Sequence, residues 1–206
     1  MSDVSQEQAW ALRAQRGDQQ AFARLVEAFQ TPVYNLAYRM LGDRAAAEDA
    51  AQETFVRAYT RINSYDPNFK FASWILSIAS HYCVDRLRRG RGGALSMEAM
   101  ETSRWLPDER PQPEERLLSG ERSDRIQGAL GQLPGPYRLV IVLRYWEGLS
   151  YEEIAAATKS TESAVKSRLH RARLVMAELL GGEGEPLAVS EPVARREAQN
   201  AMSRVF

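Results

Sequence analysis

Cysteine is nearly absent: Cys83 stands alone in 206 residues. One thiol cannot form an intrachain disulfide and offers no zinc-finger spacing, so a disulfide scaffold and a cysteine-based metal module are excluded. His81 lies two positions from Cys83, so the two diverge on a helix and make a poor metal pair. No run of about 18 apolar residues occurs, and no membrane-spanning helix or membrane insertion is expected. The first twenty residues are polar and mixed in charge, without the basic-then-apolar order of a secretory leader. The expected location is therefore cytoplasmic. Net charge is absent too, with 27 Lys+Arg against 27 Asp+Glu. Also missing are a phosphate-binding glycine loop, a nucleophile elbow and a dinucleotide fingerprint. No catalytic residue, metal site, cofactor or small-molecule substrate is expected.

What is there is helical. Hydrophobic residues make up 44% and charged residues 26%, ordinary for a globular chain. In the first 90 residues proline occurs only at Pro32 and Pro67, and no strand alternation of useful length appears. Phe22, Leu25, Val26 and Phe29 recur at helical spacing. Pro32 suits the first turn of a new helix, carried on by Val33, Leu36, Ala37, Met40 and Leu41. A third helix is predicted over Ala45 to Ile62, with Ala47, Ala51, Phe55, Ala58 and Tyr59 as its inner stripe. Asn63 to Lys70 reads as a loop. A fourth helix, Phe71 to Arg89, carries Trp74, Ile75, Ile78, Ala79, Tyr82 and Leu87.

Composition changes after Arg89. Glycines come first, then Pro107, Pro111 and Pro113 among eight acidic residues and four arginines between Glu98 and Asp124. Such a stretch reads as a solvated linker, in which Trp105 and Leu106 are apolar without an evident reason. A second helical block runs from about Gly120 to Gly181. Pro134-Gly135-Pro136 breaks it, and Gly148 ends the helix that begins near Tyr137. Ser150-Tyr151-Glu152-Glu153 has the form of a capping box. The expected fold is all-α: two small helical domains at 1–92 and 120–181, a flexible acidic linker at 93–119, and a flexible tail at 182–206.

Charge is segregated in three clusters. Ser150–Ala157 and Glu162–Met176 have helix-turn-helix proportions. Val165, Leu169, Ala172 and Met176 share one face of the second helix, leaving Lys166, Arg168, His170, Arg171 and Arg173 for solvent or a DNA major groove. A second basic cluster, four arginines from Arg86 to Arg91, ends the fourth helix, where cations also suit the helix dipole. The loop before that helix is expected to expose Tyr65, Phe69 and Phe71, with Trp74 one turn into the helix. Rings beside cations suit single-stranded nucleic acid; the alternative is that Phe71 and Trp74 belong to the core, which for Trp74 is the favoured reading. Glu48, Asp49, Gln52 and Glu53 form an acidic helix surface, either solvated or a docking patch for a basic partner.

These residues resemble a known family. Ala46-Ala47-Glu48-Asp49-Ala50-Ala51-Gln52-Glu53-Thr54-Phe55 is similar to a signature of bacterial extracytoplasmic-function (ECF) sigma factors. So are Phe71, Trp74, Ile75, Ile78 and Ala79, followed by Asp85, Leu87, Arg88 and Arg89. Leu149 to Ala155 and Val165 to Arg173 resemble that family's final helix-turn-helix. The resemblance covers roughly residues 18–92 and 120–180. It implies a promoter-specificity subunit of RNA polymerase, held by an anti-sigma factor and serving a stress or envelope response. It implies core-polymerase docking on the clamp helices through Asp49, Gln52 and Glu53. It implies capture of the melted minus-ten strand by Asn68, Phe69, Lys70, Trp74, His81, Arg86, Arg88 and Arg89. It assigns minus-thirty-five promoter DNA to Lys166, Ser167, Arg168, His170 and Arg171, with Arg144 and Arg173 on phosphates. The linker would thread through the polymerase cleft. Two features depart from the family: Lys159 stands where a turn glycine is usual, and Thr161-Glu162-Ser163-Ala164 replaces a Pro-x-Gly-Thr pattern. A free-standing dimeric helix-turn-helix regulator is the alternative, but the first block shows no heptad or surplus apolar stripe for dimerisation.

Overall fold

The computed structural model describes residues 3–90 and 118–181. Eight α-helices and no strand occur among them. The linker core, with Trp105 and Leu106, and the tail lie outside the described residues. The first group comprises α1 (Asp3–Gln15), α2 (Gln19–Leu41), α3 (Arg44–Thr60), a 3-10 turn at Ile62–Ser64 and α4 (Phe71–Gly90). The second comprises α5 (Leu118–Gln132), α6 (Gly135–Tyr145), α7 (Tyr151–Thr158) and α8 (Glu162–Leu179).

Helix α2 is the hub of the first group and packs on α1, α3 and α4. It begins at Asp18, whose carboxylate accepts from Ala21 N–H at 3.0 Å. That bond and the Arg13 guanidinium hold the Asp18 carboxyl below its usual range. Pro32 does not start a new helix as its local chemistry predicts: α2 runs unbroken through it. Proline removes one backbone bond. Burial of Phe29, Val33, Leu36, Ala37 and Met40 on the same side keeps the helix whole. Gly42 ends it at φ +75°, a conformation glycine adopts without a steric penalty.

Two further elements differ from the sequence pattern. Helix α1 forms in the polar opening segment, where few apolar residues mark a face; Ala11 and Ala14 are its buried contacts. In α3 the inner stripe is Ala47, Ala50, Thr54 and Ala58. Ala51 and Phe55 are half-buried and Tyr59 is exposed, its ring 5.0 Å edge-on from Phe22. Small residues let the α3 backbone approach its neighbours closely. The buried Thr54 hydroxyl is satisfied by donating to Ala50 O at 2.7 Å.

The two groups touch. Helix α2 packs on α5 and α6, and α4 packs on α6 and α7. The Arg39 guanidinium lies 4.6 Å over the Trp146 ring. Burial pushes the neighbouring Glu147 carboxyl up to about 7, against the attraction of Arg39. Its ordinary value is 4.5. The stabilising contribution is therefore complete below that ordinary value and is lost as pH rises through about 7. Urea denaturation is expected to show stability falling by about 2–3 kcal/mol between about pH 5 and about pH 8. Glu147→Gln is expected to flatten that slope; an unchanged slope in the variant would assign the titration to another group.

Candidate nucleic-acid and polymerase interface

Three surfaces carry the residues singled out by the sequence. On α3, the buried alanine stripe turns Glu48, Asp49 and Gln52 to the opposite, exposed side. Asp43 caps this helix by accepting from Ala46 N–H at 2.7 Å. Glu53 is half-buried and pairs with Arg57 at 2.7 Å, and Arg57 in turn lies 5.0 Å over Tyr82. Asp49 faces Arg86 of α4 at 3.8 Å. The acidic face therefore borders the basic end of α4, while Asp49 and Gln52 stay open to a partner.

The loop before α4 is braced from behind by α1, a role that the sequence does not announce. Gln15 Nε2 donates to Ile62 O at 3.0 Å and to Tyr65 O at 2.8 Å, and Gln8 Nε2 donates to Pro67 O at 3.0 Å. Tyr65 and Phe71, read from the sequence as exposed, are buried at 3% and 1% exposure. Their rings meet at 5.3 Å and form a cluster with Trp74. Burial pushes the Tyr65 phenol up. It stays a donor and bonds Phe69 O at 2.7 Å. Asp66 Oδ1 accepts from both the backbone and the side-chain amide of Asn68, each at 2.9 Å. This framework holds Phe69 at the loop tip with 60% of its surface exposed. Trp74 is half-buried.

Further along α4, His81 is exposed and its Nδ1–H donates to Ser77 O at 2.7 Å, which turns Nε2 outward. Arg86, Arg88 and Arg89 are exposed at the C-terminal end. Arg88 pairs with Asp85 at 3.0 Å. Cys83 is fully buried among the helices, and burial pushes its thiol up to about 12, so it remains protonated and unreactive.

The third surface is the helix-turn-helix. The capping box at α7 is complete: Ser150 Oγ accepts from Glu153 N–H at 3.1 Å, and Glu153 Oε2 accepts from Ser150 N–H at 2.7 Å. Desolvation raises the Glu153 carboxyl, but the Ser150 N–H and Lys70 outweigh it, and the net shift is downward. The turn passes through Lys159 at φ +51°, the conformation for which the family's glycine is suited. Thr161 then caps α8, accepting from Ala164 N–H at 3.2 Å. Val165, Leu169, Ala172 and Met176 are buried. Lys166, Ser167, His170, Arg171 and Arg173 are exposed, and Arg168 is half-buried. Lys166 reaches Glu162 at 3.4 Å and lies 5.6 Å over the Tyr151 ring. Arg144 stands apart from this row: it donates to Leu149 O at 2.9 Å and lies 5.0 Å over the Tyr151 ring.

An acidic face, an aromatic-tipped loop with a basic helix end, and a basic recognition helix on paired helical domains define a transcription-initiation protein. Residues 25–92 match Sigma-70 region 2, and residues 123–176 match Sigma-70, region 4. The chain is 38% identical over 167 residues to the ECF RNA polymerase sigma factor SigW of Bacillus subtilis, spanning 78% of this chain and 89% of that protein. It belongs to the ECF RNA polymerase sigma factors, which bind core polymerase, direct it to promoters and catalyse no reaction of their own. Among solved structures it is similar to CnrH in complex with the cytosolic domain of CnrY. That match has 25% identity and a TM-score of 0.65, covering 87% of this chain and 99% of that one. The fold also matches the sigma factor RpoE in complex with the anti-sigma factor NepR from Bartonella quintana, at 23% identity and a TM-score of 0.60, covering 79% and 98%. No helix among the described residues is long and apolar enough to cross a membrane.

Proposed function

We propose that the three surfaces divide the work of initiation. Asp49, Gln52 and Glu53 dock on core polymerase. Asn68, Phe69, Lys70, Trp74, His81, Arg86, Arg88 and Arg89 capture the melted minus-ten strand. Lys166, Ser167, Arg168, His170, Arg171 and Arg173 read or grip the minus-thirty-five duplex, with Arg144 at its edge. The functional domains are residues 1–92 and 120–181, separated by a linker over 93–119. The protein acts in the cytoplasm, serves a stress or envelope response, and is held inactive by an anti-sigma factor.

The observation that carries this reading is the segregation of charge by surface. Acid sits on α3, while cations sit on the end of α4 and on α8. An exposed ring at the tip of a braced loop can stack an unpaired base. A long planar arginine on an exposed helix face can bond a guanine edge with two donors.

The test is gel filtration with and without core polymerase, followed by run-off transcription from a promoter library. Co-elution and new promoter-dependent transcripts are expected. Arg171→Ala is expected to weaken promoter selection by about 1–3 kcal/mol, concentrated at one minus-thirty-five base pair. Tight duplex binding by the chain alone, without co-elution, would instead favour a free-standing regulator.

A further inference from the structure

The first turn of α8 carries a charge of the wrong sign for its surroundings. The exposed side of this helix is basic, with Lys166, His170, Arg171 and Arg173, as a surface meeting phosphates requires. Glu162 breaks that pattern. It is the first residue of α8, directly after the Thr161 cap, and about half of its side chain is exposed. It lies one turn before Lys166, so the two share a stripe that flanks the buried row of Val165, Leu169, Ala172 and Met176. It also falls in the Thr161-Glu162-Ser163-Ala164 segment, where this chain departs from the pattern of its family.

An acid in a first helical turn has an ordinary use, since it complements the helix dipole. That use concerns stability alone, and it does not remove Glu162 from the path of DNA. In a helix-turn-helix the N-terminal residues of the second helix are those that approach base edges.

Within the chain Glu162 is weakly neutralised. Its pair with Lys166 spans 3.4 Å, with half or more of each side chain exposed, and exposed pairs of this kind contribute little. Lys166 is also drawn to the Tyr151 ring, 5.6 Å away, which Arg144 shares at 5.0 Å. Once a phosphate or a base acceptor takes Lys166, the Glu162 carboxylate needs a donor of its own. An ionised carboxylate only accepts hydrogen bonds. In the major groove the base donors are the amino groups of cytosine and adenine, whereas guanine and thymine present acceptors that repel a carboxylate. Adenine sets an N7 acceptor beside its N6 amino group and so suits an amide side chain, which both donates and accepts. Cytosine offers N4 alone and suits a carboxylate.

We infer that Glu162 is a specificity-determining residue of the minus-thirty-five interface, selecting a cytosine by accepting from its N4 amino group and rejecting guanine and thymine there by repulsion. The inference rests on the proposed assignment of α8 to the minus-thirty-five duplex and extends it to an acidic residue beside the basic row.

The test uses holoenzyme assembled from core polymerase and the full chain, transcribing a promoter library randomised across the minus-thirty-five element. Sequencing the transcripts gives the base preference at each position. The wild type is expected to prefer cytosine at one position of one strand by about tenfold. Glu162→Gln has nearly the same shape but can donate as well as accept, and it is expected to move that preference to adenine. Glu162→Ala is expected to flatten the preference by letting in the guanine and thymine promoters rejected before. Preferences at the other positions should stay in place. A role in helix stability alone would change transcription equally across the library. Such a uniform change, a wild type without the cytosine preference, or a glutamine variant that keeps it would overturn the assignment of Glu162. No polymerase-dependent transcript from the wild type on any promoter would instead reject the promoter-binding reading itself.

Discussion

Asp49→Lys is expected to lower the affinity for core polymerase by about 30-fold or more while leaving the fold intact. Reversing a charge that meets a basic partner removes one attraction and adds one repulsion, and loss of a desolvated charge pair costs about 2–5 kcal/mol. The side chain is exposed and pairs with Arg86 at 3.8 Å. An exposed pair of that kind contributes at most about 1 kcal/mol to stability. Thermal melting should therefore barely move, while titration of labelled chain against core polymerase should show the loss. Glu27→Lys, an exposed charge on α2 that likewise pairs with an arginine, Arg24 at 2.9 Å, is the matching control. Equal affinity for Asp49→Lys and wild type would remove the docking assignment from α3.

Phe69→Ala is expected to cut opening of the minus-ten region by about 1–3 kcal/mol, the range seen when a base loses an aromatic platform. The effect should appear in permanganate footprinting of the holoenzyme on a linear promoter. It should shrink on a template whose minus-ten region is already mismatched, because part of the unpairing has been done. Stability should hardly change, since the ring is 60% exposed and the Phe69 carbonyl keeps its bond from Tyr65. Phe71→Ala, two residues away, should behave in the opposite manner. Its ring is 1% exposed and packed against Phe29, Tyr65 and Trp74, so its removal should cost about 3–5 kcal/mol of stability. If both variants lost only stability, Phe69 would be a packing residue and the loop would need another base platform.

Much of this protein is legible in order along the chain. The capping box at Ser150, the apolar stripe of α8 and the helical nature of the first 90 residues follow from local rules: a side-chain oxygen three residues before its backbone donor, a period of 3.6, and few breakers. The acidic and basic helix faces are legible for the same reason, because charge on a helix is placed by spacing alone. Pro32 shows where such rules stop. Its local chemistry signals a boundary, yet buried contacts on both sides carry one helix through it. The aromatic loop shows the same limit. Tyr65, Phe69 and Phe71 are alike in composition and neighbourhood, and nothing local says which ring points outward.

The sequence by itself determined the all-α class, the capping box at Ser150, the apolar and basic faces of α8 and the family to which the chain belongs, because each of these depends on residues within a few positions of one another or on their order. The tertiary structure alone decided that Phe69 is the exposed ring, that α1 braces the loop, and that Thr54 of α3 is fully buried while Phe55 is only half-buried. It alone set Glu153 on Lys70 and Gln127 on the end of α2, pairs separated by 80 residues or more. Contacts at that range have no local spacing rule. They depend on which buried faces meet, and that is settled only when the whole chain has packed.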